Sequence, residues 1–205
     1  MSYKVIAVLG DSISQGLFDE SGLGWFGRLS TMISNKNKKY AFHNISMNGD
    51  KICDSYHRFA SECITRDIDT LIISVGTNDL LRQGSPNAQL DISKELRGQY
   101  WESLLDMAGA KIKQIIVMDI LPIREGIDDE GEVDIYEFNK DIEEYNKQIE
   151  KICSKKKIPF IKLYNKWKKR DLADYYVDSG HPNGAGHQLI ADEVFEELKK
   201  LGILN

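Results

Sequence analysis

Along the chain, β-branched apolar runs at positions 5–9, 40–45, 71–75, 115–118 and 158–161 alternate with stretches whose apolar residues recur every three or four positions. Most of these runs are continuously apolar rather than alternating, the pattern of strands covered on both faces. The clearest helical stretch starts near Asp134. There Ile135, Phe138, Ile142, Tyr145, Ile149 and Ile152 follow one another in steps of three and four and form one stripe. That stripe predicts a helix packed on a sheet. A last helix over roughly residues 185–201 turns Leu189, Ile190, Val194, Phe195 and Leu198 inward, with Glu196 and Lys200 spaced to pair outside. Strands alternating with helices predict right-handed crossovers and a parallel sheet, an α/β fold of three layers (an α/β/α sandwich). Ligands bind such sheets at the carboxyl ends of the strands. No internal repeat, low-complexity tract or linker breaks the pattern, and Lys155-Lys156-Lys157 reads as a helix end.

A chain of 205 residues fits a single domain over 1–205. Its hydrophobic fraction of 41% is enough for a core, and a net charge of −5 argues against nucleic acid or an anionic membrane as partner. The run at 5–9 is too short for the core of a signal peptide, and nothing reaches the ~18 apolar residues of a membrane span. A cytoplasmic protein without membrane insertion is expected. Cys53, Cys63 and Cys153 form neither a pair motif nor a Cys/His cluster, so buried, inert thiols are expected rather than a disulfide or zinc site.

Chemistry enters at the ends of the predicted strands. Gly10-Asp11-Ser12-Ile13-Ser14 follows the first, Asn44 to Asp50 the second, and Gly76-Thr77-Asn78-Asp79 the third. Asp178-Ser179-Gly180-His181-Pro182-Asn183 stands before the last helix, some way after the fifth. Each has an ordinary explanation as a turn or a helix cap. Together they also supply the parts of a serine acyl-transfer site: a hydroxyl at a strand exit, an imidazole with a carboxylate three residues before it, and oxyanion donors. Gly49, lacking a side chain, lets its N–H approach a reacting carbonyl, and Asn78 offers a side-chain amide. His43 in a strand, and His57 and His187 on helices, lack such surroundings and read as structural. The order Ser, Asp, His is that of neither familiar serine protease type.

On these four blocks, which span nearly the whole chain, the sequence resembles the SGNH hydrolases, also called GDSL-type esterases and lipases. Ile13 replaces the usual Leu of the first block, and Ser46 stands where many members have Gly. Neither change removes a catalytic group. The resemblance implies Ser12 as nucleophile, His181 as general base and Asp178 as its orienter. It implies an oxyanion hole from the Ser12 and Gly49 N–H groups and the Asn78 side chain. It further implies a flavodoxin-like sheet of five parallel strands in the order 2-1-3-4-5.

The expected reaction is two-step hydrolysis of a small-molecule acyl ester without metal or organic cofactor. Short-chain acyl esters, carbohydrate O-acetyl groups among them, suit the chain better than bulk lipid, while thioesters and lysophospholipids stay open. A catalytically silent module that binds acylated sugars is the alternative from another class. A nucleotide-binding reading is weaker, for want of a phosphate-binding glycine loop. The acidic run Asp128-Asp129-Glu130 with Glu132 and Asp134 lacks calcium-loop spacing and reads as solvated. The stretch 122–133 that contains most of it opens on the Ser12 edge, either as a pocket wall with Arg124 toward an anionic substrate or as a plain surface loop.

Overall fold

The computed structural model describes residues 3–125 and 134–204. Its first half runs β1 (Lys4–Gly10), α1 (Ser12–Gln15), α2 (Gly24–Lys36), β2 (Tyr40–Asn44), α3 (Ile52–Glu62), β3 (Thr70–Ser74) and β4 (Arg82–Gln83). The second half runs α4 (Lys94–Gly109), β5 (Gln114–Met118), β6 (Ile135–Tyr136), α5 (Asn139–Lys156), β7 (Phe160–Ile161), α6 (Tyr164–Trp167) and α7 (Gly184–Lys200). The main sheet has the order β2-β1-β3-β5-β7 with every pair parallel. Counting only its own strands, that is the expected 2-1-3-4-5 order of a three-layer α/β sandwich.

Burial accounts for the apolar runs. In β1, Val5, Ala7 and Leu9 face one core with Phe59, Trp101, Tyr145 and Ile149. Ile6 and Val8 face the other, with Trp25, Leu29, Trp167 and Val194. Successive side chains point to opposite faces, so a strand between two helical layers is apolar at nearly every position.

Two expectations about helices need correction. The stripe from Ile135 does not start α5. Ile135 and Tyr136 instead pair antiparallel with Gln83 and Arg82, the backbone stays extended to Phe138, and Ile135 is 56% exposed. The buried stripe begins at Ile142 and continues through Tyr145, Ile149 and Ile152. In α7, Glu196 pairs with Lys199 and Glu197 with Lys200, because each carboxylate takes the lysine three residues on, one turn away. The lysine run does end α5: Lys157 turns left-handed at φ 58° and donates its N–H back to the last turn.

Cys63 and Cys153 are buried and unpaired, and burial pushes both thiols up to about 12, while Cys53 is only half-buried. No helix among the described residues is long and apolar enough to cross a membrane.

Candidate active site

The first turn of the site is fixed by close packing. A Cβ at Gly10 would sit 2.4 Å from the Ser74 carbonyl oxygen of the neighbouring strand, so only glycine lets β1 end there. Asp11 then caps α1, its carboxylate accepting the Ile13 N–H at 3.1 Å, and places Ser12 as the first helical residue. The Asn44 side chain donates to Ser14 O at 2.8 Å and ties the second strand's end to this turn.

From the far end of the chain, the turn before α7 brings His181 onto Ser12. Ser12 Oγ lies 2.9 Å from His181 Nε2, and His181 Nδ1 lies 2.6 Å from Asp178 Oδ2. The other Asp178 oxygen accepts the N–H groups of Gly180 at 2.9 Å and His181 at 2.6 Å, so the carboxylate holds both the ring and the backbone that carries it. With Asp178 as acceptor at Nδ1–H, Nε2 is the nitrogen free to accept from the hydroxyl. Burial alone would disfavour a charged imidazole, but the Asp178 carboxylate outweighs it, helped by Asp11 and Glu137, and His181 titrates above its usual 6.5. Burial likewise opposes the Asp178 anion, yet its hydrogen bonds from His181 hold it below the usual carboxylate range.

The donor groups rest on a braced loop. After β2, Ile45 N–H donates to Val8 O at 2.8 Å and Met47 N–H to Gly10 O at 3.0 Å, binding the loop along β1. Arg58 from α3 reaches the Asp50 carboxylate and donates twice to Ile45 O. Gly49 adopts φ +79°, and a Cβ there would meet nothing within 4 Å. That left-handed backbone is a second reason for glycine here, beside the bare N–H on which the sequence argument rests. Asn78, in the short 3₁₀ turn Thr77–Leu80, donates one amide hydrogen to Asp50 O at 2.9 Å and keeps a second. The Ser12 and Gly49 N–H groups meet no acceptor among the described residues.

The structure thus joins Ser12, His181 and Asp178 in one hydrogen-bonded chain and ties Asn78 to the loop carrying Gly49. It also reveals supports that sequence reading missed. Asp79, fully buried, accepts Ile52 N–H at 2.9 Å and the Tyr145 hydroxyl, which in turn accepts Trp101 Nε1–H at 2.8 Å. Burial pushes the Asp79 carboxyl up to about 6 and that of Asp11, beside His181, up to about 7. A buried Asp following Asn78 offered a hint; its partners lie in remote helices. Among the described residues, no three His, Cys, Asp or Glu side chains gather as a metal site.

Of the stretch 122–133, residues 122–125 lie beside the His181 turn: Arg124 N–H donates to Ser179 O at 2.8 Å and Tyr176 OH to Pro122 O at 2.7 Å. The acidic residues 128–132 lie outside the described residues. His187 is structural, accepting Trp25 N–H at Nδ1 and donating from Nε2 to Leu17 O, both at 3.2 Å.

Residues 8–189 match the GDSL-like lipase/acylhydrolase family. The uncharacterized protein YpmR of Bacillus subtilis strain 168 is 26% identical, over 97% of this chain and 83% of its own length. Among solved structures, the lipase/acylhydrolase from Enterococcus faecalis superposes with a TM-score of 0.79 at 21% identity, covering 97% of this chain and 96% of that one. The acetylxylan esterase Axe2 from Geobacillus stearothermophilus superposes with a TM-score of 0.76 at 19% identity, covering 96% and 94%.

Proposed function

Because the chain belongs to the GDSL-like lipase/acylhydrolase family, and is by that membership a serine carboxylic ester hydrolase, we propose that it cleaves short acyl esters through Ser12, His181 and Asp178. The observation that carries this reading is the unbroken run of contacts from Ser12 Oγ through His181 to Asp178, at 2.9 and 2.6 Å. His181 Nε2 takes the Ser12 proton as the oxygen attacks the acyl carbonyl. The tetrahedral oxyanion rests on the Ser12 and Gly49 N–H groups and the free amide hydrogen of Asn78. His181 then returns the proton to the departing alcohol, and water activated by the same nitrogen releases the acid.

The substrate reading is a small acyl group on a small or carbohydrate alcohol, with O-acetyl groups on sugars included. The sequence has no long apolar run to serve as a lipid-binding lid, and acetylxylan esterases share the fold. A p-nitrophenyl ester series of increasing acyl length tests this. The highest kcat/KM is expected at acetate or a near homologue; a maximum at long chains would replace the reading with a lipase or lysophospholipase.

The donor assignment has its own test. Asn78→Ala should cost roughly 10²–10³ in kcat on p-nitrophenyl acetate, the usual worth of one oxyanion donor. Full turnover by that variant would remove Asn78 from the site.

A further inference from the structure

Among the described residues, Phe18 combines an exposed aromatic side chain with a left-handed backbone. Its backbone sits at φ +62°, a left-handed geometry that bulky side chains seldom adopt, and the residue is 48% exposed. A single exposed aromatic needs no explanation. One held in a strained backbone does, because such strain persists only where its surroundings over-determine it.

Those surroundings are visible on both sides. Before Phe18, the Leu17 carbonyl is held by the buried His187 at 3.2 Å and the Leu17 N–H by Ser12 O at 3.0 Å. After it, the buried Asp19 carboxylate accepts the Arg28 guanidinium at 2.8 Å, Ser21 OH at 2.8 Å and Gly24 N–H at 2.8 Å. The two anchors fix the backbone on either side of Phe18. Its ring meets the His181 imidazole edge to face, with centroids 5.3 Å apart and planes at 81°.

The chemistry decides which half of the substrate lies there. The imidazole that takes the proton from Ser12 must deliver it to the departing alcohol oxygen, so the alcohol half of the ester lies beside His181. The carbonyl oxygen points instead to the donors of Gly49 and Asn78. A side chain against the imidazole and half open to solvent therefore faces the alcohol.

We propose that Phe18 is a specificity-determining residue, an apolar platform that receives the ring of a cyclic alcohol, a pyranose in particular, as its acyl group is removed. This rests on the esterase reading above and narrows it to ring-bearing alcohols.

The test holds the acyl group constant and varies the alcohol: ethyl acetate, cyclohexyl acetate and a monoacetylated methyl pyranoside. Phe18→Gly removes the ring and relieves the backbone, so the variant should fold. It should lose about tenfold in kcat/KM on the two ring acetates, mostly through KM, and no more than about twofold on ethyl acetate. Phe18→Trp should restore most of the loss.

Equal losses on all three acetates, or a shift of the acid limb of the pH–rate profile, would overturn the proposal and make Phe18 a support for His181. Run on the p-nitrophenyl ester series as well, a Phe18→Gly loss that follows acyl length would place the ring on the wrong side and overturn it too. If the wild-type protein cleaves ethyl acetate but shows no preference for ring acetates, the platform falls while the esterase reading stands. If it cleaves none of the three, both fall.

Discussion

Replacing Ser12 with alanine is expected to lower kcat on p-nitrophenyl acetate by roughly 10⁴–10⁶, with the melting temperature close to that of the wild type. The size follows from the site's economy. Ser12 Oγ stands at a strand exit, 2.9 Å from an imidazole oriented to take its proton. Without it His181 keeps Asp178 and the donors keep their scaffold, so what survives is the small acceleration from binding and the oxyanion cradle. Stability should hardly change, because the turn is maintained by backbone and neighbours: the Asp11 cap, Gly16 closing α1 with its N–H on Ser12 O, and Asn44 on Ser14 O. A fluorophosphonate should label the wild-type protein and leave Ser12→Ala untouched. An unlabelled wild type would turn the reading toward a silent module that binds acylated sugars, since only an activated serine reacts.

Much of this was legible in the chain itself, for a physical reason. Strands sheathed on both faces carry few polar residues, so the middles of β1, β3 and β5 announce themselves as continuous apolar runs, and strand exits are where backbone and side chains are free to do chemistry. What stayed hidden has equally definite causes. The β4–β6 pairing involves two residues on each side, too few for any periodicity, and Ile135 and Phe138 fall by accident in step with the stripe of α5. Gly49 was singled out for its missing side chain, whereas its left-handed backbone, φ +79°, shows only in the coordinates. A left-handed phenylalanine gives no sign in sequence at all. The Asp79–Tyr145–Trp101 chain joins a loop to two helices across 66 and 44 positions, a contact no local pattern encodes.

Asp178→Asn should lower kcat by roughly 10⁴ while leaving the Ser12 to His181 spacing almost unchanged. Asparagine fits the same space, but its amide no longer secures a proton on Nδ1. The imidazole is then free to carry its hydrogen on Nε2, where it cannot accept one from the hydroxyl. A second readout separates this from simple misfolding. The working imidazole is neutral, so wild-type activity should fall as pH drops through the His181 pKa. That value lies above 6.5 because Asp178, against the effect of burial, favours the cation. Asp11, pushed by burial up to about 7, feels the same ring, so its titration bears on the acid limb as well. The substitution leaves Asp11 in place and removes only the Asp178 charge, and the limb of the residual activity should therefore move to lower pH. A limb that stays put, or a wild-type rate that is flat from about pH 8 to about pH 5, would mean that the protonation of His181 does not govern the reaction.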